Sequence, residues 1–233
     1  MHISFDFDYT LADSSEGAIL CANYALREMG KSECSDADIK KTIGLSLEET
    51  YKQLVGDYGD DDLTKFTNLF LKKADEVVVD CIKFFEGTKD ALIELKESGH
   101  YLSIVSTKYT KRIMAALERD GLLFLINDVI GGDMVKDPKP SPEGLNRAIR
   151  NSKLDKDQTL YVGDSKSDGQ AAESAGIGFI AVLSGMTSRE KLNIFSPVEI
   201  IDNLKDINNA VRNISGRNKI EQAVALDQDK LGK

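Results

Sequence analysis

Two aspartates stand one residue apart in Asp6-Phe7-Asp8-Tyr9-Thr10, just after the apolar-rich run Ile3, Ser4, Phe5. Side chains alternate faces along a strand, so both carboxylates leave on the same side. Acids that close repel unless a cation lies between them, one is protonated, or both face open water. Thr10 and Leu11 lead on to Ala12, Asp13, Ser14 and Ser15, good residues for starting a helix. The pair is thus expected at the carboxyl end of a strand, the edge where open α/β sheets bind ligands.

Three later segments carry reactive groups at equivalent places. A strand expected over residues 101–105 ends in Ser106, Thr107 and Lys108, which offer hydroxyl and backbone N–H donors. Lys139 is held among Pro138, Pro140 and Pro142, just before a helix expected to start with Ser141 as N-cap and Pro142 at its first position. A strand expected over residues 159–163 gives Asp164 and Asp168, acids four apart at a strand-to-helix turn. In a parallel sheet all these ends share one edge, so the groups converge despite their separation in sequence. Carboxylates with a hydroxyl and a fixed cation suit Mg²⁺, which takes one or two protein carboxylates, waters and a phosphate oxygen. A carboxylate beside such an ion can attack phosphorus. An acid two residues away is well placed to protonate the leaving alcohol and later to accept a proton from water.

Positioning those groups falls to two kinds of element. From residue 84 onward, strands at 101–105, 128–132, 159–163, 178–183 and 198–201 alternate with helices, so we expect an α/β fold with a doubly wound, mostly parallel sheet. Between the first strand and the second, residues 15–83 show helical spacing only, and about 90 residues far exceeds a simple crossover. Here Ser46-Leu47-Glu48-Glu49 is a capping box, Ser35 caps a short helix, and residues 62–80 form a long amphipathic helix. Thr88 is read as the cap of the next helix. The expected organisation is a catalytic core of residues 1–14 and 84–212, an inserted helical cap over 15–83, and a polar C-terminal tail over 213–233 in which Ile220, Val224, Leu226 and Leu231 are loosely spaced. Within the insert, Lys40, Lys41 and the Gly44-Leu45-Ser46 turn could meet a substrate on closure, or be a solvated face and a helix cap. Thr107 and Lys108 could line the site, or be a capping threonine and an exposed lysine. His2 and His100 have no motif around them and are expected at the surface.

Composition narrows the partners. With 233 residues and 41% apolar content the chain can bury a substantial core. A net charge of −9 has the wrong sign for nucleic-acid binding, and no apolar run approaches a membrane span, so a cytoplasmic protein without nucleic-acid or membrane partners is expected; oligomeric state is not legible. Three cysteines with no CxxC pair indicate neither a disulfide framework nor a zinc site.

Taken in order, Asp6-Phe7-Asp8-Tyr9-Thr10-Leu11, Ser106 at a strand end, Lys139 in Lys-Pro-Ser-Pro, and Gly163-Asp164-Ser165-Lys166-Ser167-Asp168 resemble the four motifs of the haloacid dehalogenase-like superfamily. The helical insertion between the first two resembles its phosphoglycolate-phosphatase-like branch with a C1-type cap. The resemblance covers roughly residues 3–212 and implies a Rossmann-like core with Asp6 as nucleophile and Asp8 as general acid and base. It further implies that Ser106 and Lys139 grip the phosphoryl oxygens, and that Asp6, the backbone carbonyl of Asp8 and Asp164 hold Mg²⁺ with Asp168 in support. One departure is Tyr9, where the family usually has glycine, a residue that lets the loop turn freely. The implied activity is hydrolysis of a small phosphorylated metabolite, phosphoglycolate-like or a sugar phosphate, through an aspartyl-phosphate. A phosphosugar mutase on the same scaffold and a non-catalytic regulatory protein are the alternatives.

Overall fold

The computed structural model describes residues 1–216. The chain begins with strand β1 (His2–Phe5), turns through residues 6–11, and forms β2 (Ala12–Asp13). Four helices follow: α1 (Ser15–Glu28), α2 (Asp36–Lys40), α3 (Leu47–Val55) and α4 (Asp60–Cys81). The chain then returns through β3 (Lys83–Phe84), which pairs antiparallel with β2, Ala12 opposite Phe84 and Asp13 opposite Lys83. This ribbon lies where the helical insert leaves and rejoins the sheet. Two-residue strands carry no periodic signal, so nothing in the sequence marks it.

From there α5 (Thr88–Glu97), β4 (Tyr101–Val105), α6 (Thr110–Arg119), β5 (Asp128–Ile130), α7 (Glu143–Ser152), β6 (Thr159–Gly163), α8 (Lys166–Ala175), β7 (Gly178–Val182), α9 (Arg189–Asn193) and β8 (Glu199–Ile201) succeed one another. A last helix, α10, occupies residues 207–216. The main sheet has the order β5-β4-β1-β6-β7-β8, and all its pairings are parallel. The expected doubly wound α/β sheet is therefore present. The chain builds outward from β1 to one side and then to the other, so the switch in strand order falls beside β1, where the crevice for a ligand opens.

Strand alternation sorts the core into two layers. Phe5, Leu102, Ile104, Leu160, Val162, Ile180 and Val182 pack on one face, and Val105, Tyr161, Phe179 and Ala181 on the other. On β1 the second face carries His2 and Ser4. His2 is fully buried rather than at the surface: β1 is central, and its imidazole Nε2 lies 2.8 Å from the Ser103 hydroxyl, which donates to Ser4 at 3.0 Å. Burial pushes its pKa down to about 4. His100 is partly buried.

Several boundaries differ from expectation: α4 starts at Asp60, β5 ends at Ile130, and three others bear on the site or the core. The residue before α5 is Gly87, and Thr88 opens the helix, with its hydroxyl donating to the carbonyl of Leu11 at 3.0 Å instead of capping. The N-cap of α7 is Pro142, not Ser141. Helix α10 continues past residue 212, since Val211 and Ile214 are buried against the core; the part of the expected tail over 217–233 lies outside the described residues. The caps of Ser35 and Ser46 form as read, the latter as a full capping box with Glu49. Tyr51 stacks on Phe66 at 4.6 Å between α3 and α4, and α4 is tied to α6 by Arg112, whose guanidinium donates to Asp75 and to the Leu71 carbonyl. No helix among the described residues is long and apolar enough to cross a membrane.

Candidate active site

Asp6 follows β1 directly, and its N–H still donates to the Val162 carbonyl at 2.9 Å, which keeps the chain extended one residue past the strand. Its side chain is buried, with Lys139 Nζ 2.8 Å from Oδ1. That contact is an ion pair without hydrogen-bond alignment, and Oδ1 has no hydrogen-bond partner. Lys139 Nζ also lies 2.5 Å from Asp168 Oδ1 and donates to the Tyr161 hydroxyl, which itself donates to the Val105 carbonyl. Asp168 sits in the first turn of α8, where its other oxygen, Oδ2, accepts from the Ser165 N–H and hydroxyl in a capping box. Both Asp168 oxygens are thus taken, and the residue holds Lys139 and the helix start together.

Asp164 follows β6 directly and accepts from the Thr10 hydroxyl at 3.2 Å. A Cβ at Gly185 would stand 1.8 Å from Asp164 Oδ2, so only glycine lets that loop approach so closely. Carboxylate oxygens of Asp6, Asp164 and Asp168 lie within 4.8 Å of one another, all three residues buried. Burial pushes the Asp6 carboxyl up to about 6, with Lys139 opposing and Asp168 adding to the shift. Burial, then the charges of Asp168 and Asp6, hold Asp164 well above the usual carboxylate range. Burial alone would lower Lys139, but its two acidic neighbours more than offset that and raise it.

Three buried carboxylates against one ammonium leave a deficit of positive charge that costs free energy without a further cation. The buried oxygens of Asp6, Asp164 and Asp168, within 4.8 Å of one another, are the hard-oxygen setting that a Mg²⁺ ion fits, and Asp6 and Asp164 are the residues with capacity to hold it. Asp168, already committed to Lys139, would support it indirectly.

Asp8 is not part of that acidic group. Its carboxylate lies 2.8 and 3.0 Å from Lys108 Nζ and accepts from the Ser14 hydroxyl at 2.5 Å. Lys108 is accordingly not an exposed lysine; its side chain is 11% accessible. Thr107 does not cap α6 either, since the N-cap is Tyr109; its hydroxyl donates to the Gly44 carbonyl of the insert at 3.2 Å. Ser106 is buried and shares with Lys139 the wall of a void of about 10 Å³. Tyr9 adopts φ +59°, the left-handed conformation that glycine would take, and Ser184 donates to its carbonyl at 2.5 Å. The loop therefore turns as a glycine would allow. Asp13 accepts from the Ser15 N–H, a capping role.

The site residues expected of the core come to the carboxyl edge of the sheet in two groups: Asp6, Lys139, Asp164 and Asp168, and Asp8, Thr107 and Lys108, with Ser106 beside the first; of the insert's candidates, Gly44, Leu45 and Ser46 line the cavity facing that edge, whereas Lys40 and Lys41 do not, and Lys41 is exposed and paired with Asp38. Ser14, Thr10 and Tyr161 are additions. Thr10 lies inside the first motif and Ser14 just beyond it, so proximity was a usable signal; Tyr161 reads as an ordinary core strand residue, and nothing local marks its hydroxyl.

The family model described as haloacid dehalogenase-like hydrolase matches residues 3–182. The phosphoglycolate phosphatase of Vibrio cholerae is 27% identical over 209 residues, 87% of this chain and 92% of that one. The pyrophosphatase PpaX of Bacillus velezensis is 27% identical over 205 residues, 88% of this chain and 93% of that one. Among solved structures, a Bacteroides fragilis protein assigned to the haloacid dehalogenase-like hydrolases superposes with a TM-score of 0.85 at 38% identity, covering 88% of this chain and 98% of that one.

Proposed function

The chain belongs to the haloacid dehalogenase-like hydrolase family, and from that premise we propose that it is a Mg²⁺-dependent phosphatase acting on a small phosphorylated metabolite through a phosphorylated Asp6. The observation that carries the reading is the buried convergence of Asp6, Asp164 and Asp168 around Lys139, which is ion-paired to both Asp6 and Asp168. The names of the Vibrio and Bacillus relatives, both hydrolases of phosphoric esters or anhydrides, support it.

In this reading Asp6 attacks phosphorus, an oxygen–phosphorus bond forms to its carboxylate, and the bond to the alcohol oxygen breaks. Asp8 gives its proton to that departing oxygen. Water then attacks the phosphorus of the acyl phosphate, Asp8 takes back a proton, and Asp6 is released with inorganic phosphate. Lys108 and Ser14 orient Asp8, and Lys139, steadied by Asp168 and Tyr161, answers charge on the phosphoryl oxygens beside Ser106. Asp6 and Asp164 would hold Mg²⁺, whose charge would further neutralise those oxygens. The inserted helices over residues 15–83 act as the cap over this edge, with Thr107 bonded to Gly44 across the gap.

The test is release of inorganic phosphate from a panel of phosphate esters. Release is expected with Mg²⁺ and is expected to stop when the metal is chelated. Release that is indifferent to chelation contradicts the reading.

A further inference from the structure

Between the helical insert and the sheet edge lies a cavity of about 340 Å³ that reaches the site at Asp8, Ser14 and Lys108. On the reading just given, this is where the alcohol part of the ester lies. Its walls carry Ile39, Ile43, Leu45, Leu63, Phe70 and Ala74, contributed by the insert. The cavity is therefore lined chiefly by apolar carbon.

Its polar groups are largely spoken for. Ser14 donates to Asp8, Thr42 to the Ile39 carbonyl, Thr50 to the Thr42 carbonyl and Thr107 to the Gly44 carbonyl. The lining cations are Lys108, bound to both oxygens of Asp8, and Arg112, whose guanidinium donates to Asp75 and to the Leu71 carbonyl. Helix α3 points its first turn here, but that turn carries Glu48 and Glu49, which already answer the helix dipole, and Glu48 itself lines the wall. A second anionic group on the substrate would have to be desolvated beside apolar carbon and a carboxylate, with no uncommitted cation among the described lining residues to receive it.

We infer that the physiological ester has an uncharged, mainly apolar alcohol larger than glycolate, since the cavity is of the size that encloses a small organic ligand. Glycolate is smaller and carries a carboxylate, and the leaving group of pyrophosphate is a second phosphate. Both are disfavoured as substrates of this chain. The inference rests on the phosphatase reading but concerns the pocket, so reaction and recognition are measured separately.

The probes are 4-phenylbutyl phosphate, its para-carboxylate analogue, 2-phosphoglycolate and pyrophosphate. With Mg²⁺, the wild-type protein is expected to show kcat/KM for 4-phenylbutyl phosphate at least about tenfold above the other three, because burying an unpaired charge is costly and burying apolar area is favourable. The partly exposed loop residue Ile43 offers a second arm: Ile43→Lys supplies the missing cation, and is expected to narrow the ratio between 4-phenylbutyl phosphate and the carboxylated ester about tenfold. Binding of the same compounds to Asp6→Asn, measured by calorimetry, gives recognition without turnover. Faster hydrolysis of phosphoglycolate or pyrophosphate overturns the pocket assignment and leaves the phosphatase reading standing. If no ester is hydrolysed while Asp6→Asn still binds 4-phenylbutyl phosphate most tightly, the reaction is wrong and the pocket assignment holds. Equal or tighter binding of the charged probes by Asp6→Asn overturns it.

Discussion

At the scale of single residues, Tyr9 shows two effects in opposition. A non-glycine residue at φ +59° costs about 1–2 kcal/mol of backbone strain. Yet the residue is buried, 8% exposed, and truncating a buried aromatic typically costs about 3–5 kcal/mol. Burial wins, so Tyr9→Gly, although it restores the family's usual residue, is expected to destabilise the protein by about 2 kcal/mol in urea unfolding. An unchanged or raised midpoint would show that strain dominates. His2 gives a prediction in pH. Its folded pKa, about 4, lies below the unfolded value of 6.5, so between those limits the unfolded chain binds the extra proton. The contribution of neutral His2 is intact above about pH 6.5 and is lost as pH falls towards 4, amounting to about 3 kcal/mol. His2→Gln is expected to unfold with a shallower dependence of stability on pH across that window; identical slopes in the two proteins would contradict it.

At the scale of elements, the β2–β3 ribbon and the start of α5 fasten the insert to the sheet. The Leu11 carbonyl accepts both from the Phe85 N–H and from the Thr88 hydroxyl, each at 3.0 Å. Because the first donor survives, Thr88→Val orphans no acceptor and is expected to cost only about 1 kcal/mol, seen as a lower urea midpoint with an unchanged slope. A loss of several kcal/mol would mean that the ribbon itself comes apart. This level also divides what could be read in advance from what could not. The helices of the insert and the strands of the main sheet have periodic apolar patterns long enough to be recognised, and the Ser46 capping box is a local, four-residue device. The ribbon is too short to have a period. Thr88 looked like a cap because a threonine before an apolar run usually is one; a carbonyl 77 residues earlier in the chain claims its hydroxyl instead.

At the scale of the molecule, one parallel sheet brings together groups as far apart as Asp6 and Asp168. The reactive residues were legible because Asp6, Asp8, Ser106 and Asp164 stand just past a strand's carboxyl end, Lys139 just before a helix and Asp168 in the first turn of one, and parallel pairing puts those strand ends on one edge. Which of them touch was not legible. That Asp8 pairs with Lys108 while Asp6 pairs with Lys139 depends on side-chain reach across the edge, and the place of Tyr161 beneath Lys139 depends on the register of β6 against β1. The burial of His2 likewise follows from the central place of β1, which a position so near the chain's start conceals.

The central claim is that the Asp6 carboxylate accepts the phosphoryl group. Its most direct test is to quench the Mg²⁺-loaded wild-type protein with acid during turnover of a hydrolysed ester and to map the adduct by mass spectrometry, beside phosphate release by Asp6→Asn. The account predicts an acid-stable phosphoryl adduct on the peptide bearing Asp6, absent from the variant, and release slowed by roughly 10³-fold or more. Release by Asp6→Asn at the wild-type rate, or an adduct on another residue, would contradict it.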